Sequence, residues 1–349
     1  MIPRGRRLRL LARLGAAGAL TLTLLALVVP QVLANRGGSG DENRRQVRHF
    51  DHIFVIMMEN TGFDSLIGNA NAPFINAAAA QFGLASDYFG VTHPSQPNYI
   101  AATSGGLNGI VDDNDHTINV PNIVDQLEGH HQTWKAYMQS IFADGNTDKL
   151  AHAAGNQLYE RKHNPFVSYQ DVQTNPARLA NIVDLSQLDT DLASGHVPNY
   201  AWISPDQCHD MHGRGGGGPA DPCDFSHEQN LIATGDAFLA QTVGAIMSSK
   251  VWNDESAILI TWDESDFTGT GPAGFGDTRG CCDAVPGGGH VVTLAITGDK
   301  HAGPRASDVA YNHYSLLATV QDSFKLGCLG FTCDTANVHP MADLVNKHD

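Results

Sequence analysis

Positive charge is scarce in most of this sequence. The 349 residues include 21 Lys and Arg against 37 Asp and Glu, and nine of the Arg lie within residues 1–48. The rest of the chain therefore has 12 basic and 35 acidic residues, a formal net charge of −23. Such a surface argues against nucleic-acid binding through a basic patch and against electrostatic adhesion to anionic membranes.

The N-terminal apolar run is too short for a comfortable transmembrane segment, which needs about 20 apolar residues. This run, residues 16–29, has 14 residues, follows five Arg and precedes the small residues Val32-Leu33-Ala34. This arrangement predicts a signal peptide over residues 1–34, with an uncleaved anchor as the alternative. We therefore expect a secreted, extracellular or cell-envelope protein without a stable membrane span after cleavage.

Residues 35–48 are polar and rich in Gly and Arg, which predicts a flexible linker. The remaining residues, 49–349, contain no internal repeat and no long low-complexity run. Their length is suitable for one large domain. We expect a single functional domain over this range, and the oligomeric state is left open.

Cysteine is sparse, with six residues and no C-x-x-C pair, which argues against a zinc site. In an exported chain these residues predict disulfides. Cys328 and Cys333 are close in sequence and are expected to pair. Because adjacent cysteines are badly placed to bond each other, Cys281 and Cys282 are each expected to take a distant partner. The candidates for two further bridges are Cys208, Cys223, Cys281 and Cys282.

Short apolar runs alternate with helical segments along the domain. The apolar runs predict strands at His52–Met58, Tyr200–Ile203, Ser256–Trp262 and Val291–Thr297. Helical spacing is found at Ala72–Phe82, Gly235–Ser249 and Tyr314–Phe324. Apolar strands without polar alternation, separated by helices, predict an α/β fold whose mostly parallel sheet is covered on both faces. In such sheets, functional residues gather after the carboxyl ends of the strands.

Polar clusters follow two of these strands, Glu59-Asn60 after the first and Asp263-Glu264 after the third. Carboxylates at the ends of apolar strands are costly unless they are solvated, paired or bound to a cation. Their oxygens are hard ligands, so the pattern predicts one divalent cation, Ca²⁺, Mg²⁺ or Mn²⁺ in preference to Zn²⁺. The alternative is that these residues cap helices or lie in solvated loops.

A third cluster, His93-Pro94-Ser95-Gln96-Pro97-Asn98, places a serine between prolines. If Ser95 begins a helix, Asn98 lies one turn further on the same side. A serine held by a metal ion is a competent nucleophile toward phosphorus, and the Asn98 amide is suited to hold a phosphate oxygen. The alternative is a helix-capping serine in a Pro-rich turn.

Histidines supply the remaining candidates. His212, oriented by Asp210, is predicted to protonate a leaving group or to donate to the phosphate, with His209 as the competing candidate. The alternative is a surface loop at Cys208. His313 opens the last predicted helix, where anions bind favourably. Further candidates for substrate binding are Lys162, His163, His209 and His290.

Together these motifs resemble the bacterial phosphoesterase family, which includes secreted acid phosphatases, phosphatidylinositol-3-phosphate phosphatases and phosphocholine-type phospholipases C. The match extends roughly from Phe50 to Phe324, with the motifs in the family's order. The matching segments are Met57–Asn60 with Phe63, His93–Tyr99, Asp210–His212, Thr261–Glu264 and His313–Tyr314.

The resemblance implies a three-layer α/β/α sandwich of the alkaline-phosphatase type. It also implies that Ser95 forms a phosphoserine intermediate. Three residues would surround the phosphate: Asp210, His212 and His313. One divalent cation would be held by Glu59, Asn60, Ser95, Asp263 and Glu264.

The best likeness is to the smaller secreted acid phosphatases, which implies hydrolysis of phosphate monoesters. The substrate would be a small-molecule or lipid-headgroup phosphate ester, and protonated histidines would favour an acidic pH optimum. Two alternatives stay open. One is a phospholipase C-like phosphodiesterase, and the other is an exported protein that binds metal or phosphate without turnover.

Overall fold

The computed structural model describes residues 46–143, 146–151, 158–215, 217–266, 276–299 and 303–347. The predicted signal peptide and most of the predicted linker lie outside these residues. The linker prediction is wrong at its end. Val47 is buried in the core, and the Arg48 Nε atom donates a hydrogen bond to the Val345 carbonyl oxygen at 3.0 Å. The packed region therefore begins at least two residues earlier than predicted.

The described residues contain nine strands in one sheet. They are β1 (His52–Met58), β2 (Gly83–Phe89), β3 (Trp134–Met138), β4 (Ile182–Asp184), β5 (Tyr200–Ser204), β6 (Ser256–Trp262), β7 (His290–Thr297), β8 (Arg305–Ser307) and β9 (Tyr311–Asn312). The strand order is β4-β3-β5-β1-β6-β7-β2-β8, and β9 pairs with β2. Strand β7 is antiparallel to both neighbours, and every other pair is parallel. The predicted mostly parallel sheet is thus confirmed.

Helices cover this sheet. Those in the described residues are α1 (Phe63–Leu66), α2 (Pro73–Gln81), α3 (Ser95–Ser104), α4 (Ile123–Gly129), α5 (Gln170–Gln173), α6 (Pro176–Ala180), α7 (Ser186–Ser194), α8 (Glu228–Ser248), α9 (His313–Phe324) and α10 (Ala342–Val345). Helix α8 packs with α2 and α7, whereas α3 packs with α9. Because β6 and β7 are buried along their whole lengths, both faces of the sheet are covered. The three-layer α/β/α architecture predicted from sequence is confirmed.

Helix α8 extends further toward the N-terminus than the predicted segment, Gly235–Ser249. Within the described part of the chain, it is the helix that is long and apolar enough to cross a membrane by length and composition alone. Its Leu231, Leu239 and Ile246 side chains are buried in the protein. This packing is that of a core helix.

Three disulfides are present in the structure. The predicted Cys328–Cys333 bond is confirmed, and Cys208 pairs with Cys223 across 15 residues. The prediction for Cys281 and Cys282 is wrong, because these adjacent residues bond to each other. Their Cα atoms are 3.7 Å apart, and the left-handed backbone of Cys282, at φ 59°, turns the chain at this point.

Candidate active site

The register of the central strands brings the polar clusters together. Met58 in β1 pairs with Trp262 in the parallel strand β6, so the residues that follow, Glu59 and Asp263, emerge side by side. The segment after β5 returns to the same edge, where the Asp210 carbonyl oxygen accepts a hydrogen bond from the Glu59 amide at 2.8 Å. The expected convergence at the carboxyl edge of the sheet is therefore observed.

Ser95 is the first residue of α3, as predicted, and is almost completely buried. Its Oγ atom lies 3.1 Å from Glu59 Oε2 and 3.2 Å from Glu264 Oε1. A hydroxyl has a single hydrogen to donate, so the two carboxylates compete for it. The Ser95 hydroxyl is thereby held between the two carboxylate clusters.

Asn98 holds the loop that leads to Ser95. Its Oδ1 atom accepts from the Val91 and Thr92 amides at 2.9 and 3.1 Å. Its Nδ2 atom donates to the Thr92 and Pro94 carbonyl oxygens at 2.7 and 3.1 Å. Because both donors of the amide are engaged, the predicted contact with phosphate is not supported. We reassign Asn98 as a positioning residue.

The same loop passes close to the end of β6. A Cβ atom on Gly90 would lie 2.8 Å from the Asp263 carbonyl oxygen, so only glycine fits there. Three residues further on, His93 contacts the Glu264 carboxylate through Nδ1 and the Asp277 carbonyl oxygen through Nε2 at 2.9 Å. Sequence analysis did not assign His93 to the site, although its place next to Pro94-Ser95 was a usable signal.

His163 lies inside the cluster. Its Nε2 atom is 3.3 Å from Glu59 Oε1, and its Nδ1 atom is 3.5 Å from Asp210 Oδ2. The ring stacks on Tyr99 at a centroid distance of 5.5 Å, and the Tyr99 hydroxyl donates to Glu59. Tyr99 was not singled out from sequence, because a tyrosine within a helix is usually read as core.

Lys162 brings a positive charge to the cluster. Its Nζ atom donates to Asp113 Oδ2 at 3.0 Å, and Asp113 Oδ1 accepts from the Gln96 amide at 2.9 Å. Asp113 therefore ties the ammonium group to the first turn of α3. Burial acts to lower the pKa of Lys162, but Asp113 and Glu59 outweigh it and the pKa is raised. The lysine is consequently cationic.

The two predicted catalytic histidines differ from expectation. Asp210 Oδ1 accepts from the main-chain amide of His212 at 2.8 Å, whereas the ring Nδ1 atom contacts the Gly213 carbonyl oxygen. Asp210 therefore positions His212 through the backbone and not through the ring. His313 is bonded at both nitrogens, to the Tyr88 hydroxyl at 3.1 Å and to the Asp263 carbonyl oxygen. We therefore assign it to positioning Asp263, instead of the predicted contact with phosphate.

Burial keeps these histidines neutral. It lowers the pKa of His212 to about 4, with a further contribution from Lys162, and lowers the pKa of His313 to about 4. Burial likewise lowers the pKa of His163. In the absence of a ligand these histidines are therefore neutral, and the acidic pH optimum stays a prediction.

Two other predicted substrate-binding histidines lie elsewhere. His209 Nδ1 is 2.7 Å from Asp206 Oδ1, and the ring lines a separate cavity beside Phe238. His290 stacks on Phe63 at 4.3 Å between ring centroids, and its Nε2 atom is 2.7 Å from the Ser86 carbonyl oxygen. These contacts give both residues structural roles in place of the predicted substrate contacts.

The carboxyl groups of the cluster are buried and mutually repulsive. Burial, followed by Asp263, raises the pKa of Glu59 well above its usual range. Burial also raises the pKa of Asp210 strongly, that of Asp263 to about 6 and that of Glu264 to about 8. Four clustered carboxylates of this kind call for positive charge beyond that of Lys162.

Unpartnered atoms mark the same place. Four buried side-chain atoms of the cluster make no hydrogen bond of suitable geometry within the described residues, although His163 lies close to both Glu59 and Asp210. They are Asn60 Oδ1, His163 Nε2, Asp210 Oδ2 and Asp263 Oδ2. Buried polar atoms are normally satisfied, so this concentration indicates a site for a ligand. Oxygen donors predominate, which suits a hard divalent cation.

The side chains are not already arranged as a metal cage. In the described ranges, no group of three or more His, Cys, Asp or Glu has the geometry to hold a metal ion. Instead, Glu59 and Glu264 share the Ser95 hydroxyl, and Glu264 also contacts His93. The oxygen atoms of the cluster are therefore suited to bind a cation. Its binding would require these mutual hydrogen bonds to break.

Comparison with known proteins agrees with the fold. A protein of the alkaline phosphatase superfamily from Vibrio parahaemolyticus superposes with a TM-score of 0.51 at 14% identity, covering 82% of this chain and 68% of that one. At this identity the likeness concerns the fold alone. The predicted alkaline-phosphatase-like architecture is confirmed.

Sequence relatives carry phosphatase names. A probable acid phosphatase of Kluyveromyces lactis is 27% identical over 83% of this chain, which spans 62% of that protein. A phosphatidylinositol-3-phosphatase of Mycobacterium tuberculosis is 27% identical over 98% of this chain and 96% of its own length. The family model described as the phosphoesterase family matches residues 69–327, more than half of the sequence. The chain therefore belongs to the phosphoesterase family.

Proposed function

We propose that this protein hydrolyses phosphate monoesters, with Ser95 as the nucleophile and a phosphoserine intermediate. The observation that carries the proposal is the Ser95 hydroxyl, buried at the start of α3 and shared between the Glu59 and Glu264 carboxylates. A structural serine needs no such pair of acceptors. The hydroxyl is also beside the unpartnered atoms that indicate a ligand site.

The proton of Ser95 has a defined route. As the Oγ atom bonds to phosphorus, its proton passes to an oxygen of Glu59 or Glu264 that a bound cation does not occupy, since both carboxylates lie next to the hydroxyl. Burial makes both carboxylates stronger bases than an exposed glutamate, because it disfavours their charged forms. The P–O bond to the leaving alcohol breaks in the same displacement.

His212 is the proposed proton carrier for the leaving oxygen. Its Nδ1 atom contacts the Gly213 carbonyl oxygen, which leaves Nε2 to exchange the proton. A bound phosphate dianion raises the pKa of a neighbouring imidazole, so His212 is protonated when substrate binds. It gives this proton to the leaving oxygen. When water then attacks the phosphoserine, His212 takes a proton from the water, the P–Oγ bond breaks, and Ser95 recovers its proton from the glutamate that accepted it.

The proposed cofactor is one divalent cation, Ca²⁺, Mg²⁺ or Mn²⁺ in preference to Zn²⁺. Its candidate ligands are Glu59, Asn60, Ser95, Asp263 and Glu264. When bound, such an ion would neutralise the clustered carboxylates and promote ionisation of the serine hydroxyl. Lys162, tied to α3 through Asp113, contributes a second positive charge from the chain itself.

The names of the relatives support monoesters over diesters. The chain spans about three fifths of the length of the Kluyveromyces lactis acid phosphatase, and nearly all of the Mycobacterium tuberculosis phosphatidylinositol-3-phosphatase. Both names describe removal of a phosphate that is esterified once. We propose the same reaction for the present chain, with a small-molecule or lipid-headgroup phosphate ester as substrate. We expect the protein to be exported from the cytoplasm.

The test compares p-nitrophenyl phosphate with bis-p-nitrophenyl phosphate, with and without chelator, for the wild type and Ser95→Ala. We expect the monoester to be preferred, and its turnover to be lost with chelator or with Ser95→Ala. The exposed residue Ser248 at the end of α8 provides the matched control, Ser248→Ala. Acid quenching during turnover, followed by mass spectrometry, is expected to find the phosphoryl group on Ser95.

Each alternative has its own signature. Full activity in Ser95→Ala contradicts the assigned nucleophile. Preference for the diester supports a phospholipase C-like phosphodiesterase. Saturable phosphate or metal binding without product from either ester supports a binding protein.

A further inference from the structure

A cavity of about 300 Å³ adjoins the buried cluster. Asn60 and His212 belong to both the cluster and the cavity wall, so a phosphate ester bound at Ser95 can direct its alcohol into this space. The other lining residues on which the argument depends are Met211, Phe225, Glu228, Leu231 and Asp266. We call this space the leaving-group cavity.

Three side chains give the cavity an apolar wall. Met211 and Leu231 are buried, whereas Phe225 has 61% of its surface exposed. The exposed surface of this ring is therefore accessible to a molecule in the cavity. An apolar or aromatic alcohol would cover the ring and gain stabilisation from its burial.

The charge of the cavity has one sign. Among the described lining residues, the charged side chains are the carboxylates of Glu228, the first residue of α8, and Asp266. Asp266 also accepts a hydrogen bond from Ser65 Oγ at 3.4 Å. A carboxylate or second phosphate on the alcohol would be repelled here, whereas an ammonium group would be attracted.

The wall is fixed to the segment that carries His212. Cys223 is bonded to Cys208, the Arg214 amide donates to the Cys223 carbonyl oxygen at 2.7 Å, and the Phe225 amide donates to the Arg214 carbonyl oxygen at 3.2 Å. These links hold the backbone of Phe225 in one place relative to the segment that carries His212. A wall held in this way can select among substrates at little entropic cost.

We propose that this cavity binds the leaving alcohol and selects phosphate monoesters whose alcohol has an apolar body and no negative charge close to the ester oxygen. This inference rests on the proposed function. It goes further by naming Phe225 and Glu228 as residues that determine specificity. An alcohol with a positive charge near the ester oxygen is expected to be favoured most.

Three esters of similar size test the charge preference: phosphoethanolamine, propyl phosphate and phosphoglycolate. We expect kcat/KM to fall in that order, with about a tenfold ratio between the cationic and anionic esters, which corresponds to about 1.4 kcal/mol. Raising the salt concentration is expected to compress the ratio, because the carboxylate of Glu228 is exposed.

Matched variants assign the effect to residues. Glu228→Gln is expected to reduce the cationic-to-anionic ratio about threefold, whereas Glu255→Gln, an equal change in charge at an exposed turn before β6, is expected to preserve it. Phe225→Ala is expected to lower kcat/KM for phenyl phosphate relative to methyl phosphate about fivefold. The exposed Phe142, in a different cavity, supplies the control Phe142→Ala.

The outcomes separate this inference from the function on which it rests. Turnover of all three esters at equal kcat/KM would overturn the inference and leave the monoesterase standing. A ranking that survives equally in Glu228→Gln and Glu255→Gln would also overturn it. Failure of the wild type to hydrolyse any monoester, including p-nitrophenyl phosphate, would overturn both.

Discussion

The segment after β5 carries two Asp–His pairs that look alike in sequence and differ in their surroundings. Asp206 Oδ1 is 2.7 Å from His209 Nδ1, and its Oδ2 atom accepts from Ser140 Oγ at 2.7 Å. Asp210 Oδ2, by contrast, is buried without a hydrogen-bond partner in the described structure. The His209 ring is about one third exposed, whereas His212 faces the buried cluster.

This difference separates a structural pair from a functional one. In the first pair, every described contact of the aspartate is used to hold the chain, as expected where only stability is required. In the second pair, a buried carboxylate oxygen is left for something that the chain does not supply. Burying a polar group without a hydrogen bond is unfavourable for folding, so such a group is expected mainly where a ligand completes its contacts. It therefore indicates a ligand site more specifically than the mere presence of an Asp or His.

The largest effect is expected from the histidines. His212→Ala should lower kcat for alkyl phosphates by about 10² to 10⁴, because the poor leaving group loses its proton donor. The loss should be much smaller for p-nitrophenyl phosphate, whose leaving group needs little protonation. His209→Ala is the matched variant, and it should change kcat less than twofold for both esters in steady-state assays.

A uniform loss in His212→Ala, independent of the leaving group, would argue that His212 shapes the site without transferring a proton. An equally large loss in His209→Ala would abolish the distinction between the two pairs. Circular dichroism of each variant checks that folding is retained.

The aspartates are expected to separate activity from stability. Asp210→Asn should reduce kcat about a hundredfold, since it replaces one of the carboxylate oxygens, of which Oδ2 is left for a ligand, by an amide NH2 group. Asp206→Asn should keep most of kcat but destabilise the protein by about 1–3 kcal/mol, because it weakens hydrogen bonds to Ser140 and His209. Chemical denaturation and steady-state kinetics on the same samples measure both quantities, and interchanged effects would contradict the comparison.

The fold could be predicted from sequence because the patterns that specify its strands are local. The apolar runs at His52–Met58 and Ser256–Trp262 became β1 and β6 with the predicted bounds. Convergence of Glu59 with Asp263 followed from a general property of parallel sheets. The antiparallel direction of β7 was not predicted, because strand direction depends on long-range pairing that apolar content does not encode.

The site was predicted less completely. Ser95, Glu59 and Glu264 meet as expected, but the orientation of a side chain after a turn is set by tertiary contacts. His209 and His212 are three residues apart and face different cavities, which spacing alone does not reveal. The pairing of Cys281 with Cys282 depends on a local left-handed turn, which the residue types at this point do not predict.

The Cys208–Cys223 disulfide lies beside both pairs and should affect them together. Replacing both cysteines by alanine should lower the free energy of unfolding by about 3 kcal/mol, the chain-entropy value for a loop of about 15 residues. The Cys328–Cys333 disulfide closes a loop with a sequence separation of only 5. Replacing both of these cysteines by alanine should therefore lower the free energy of unfolding by less. Urea denaturation of both variants measures the difference. Equal losses would show that native contacts of the loops, and not their lengths, determine the effect.

The smallest effect is expected at Arg161 and Lys162, two neighbouring basic residues that have different partners. They offer a second comparison between a structural contact and a functional one. Lys162 pairs with Asp113, which also bonds to the Gln96 amide, whereas Arg161 lies 3.3 Å from Asp115. Asp113→Asn should raise KM for p-nitrophenyl phosphate about fivefold, near 1 kcal/mol, because Lys162 loses the contact that holds it beside the cluster. Asp115→Asn should leave KM unchanged, since the pair at Arg161 fixes a loop. A raised KM in both variants would mean that the acidic charge of Asp113 and Asp115, and not the position of Lys162, sets the affinity for phosphate.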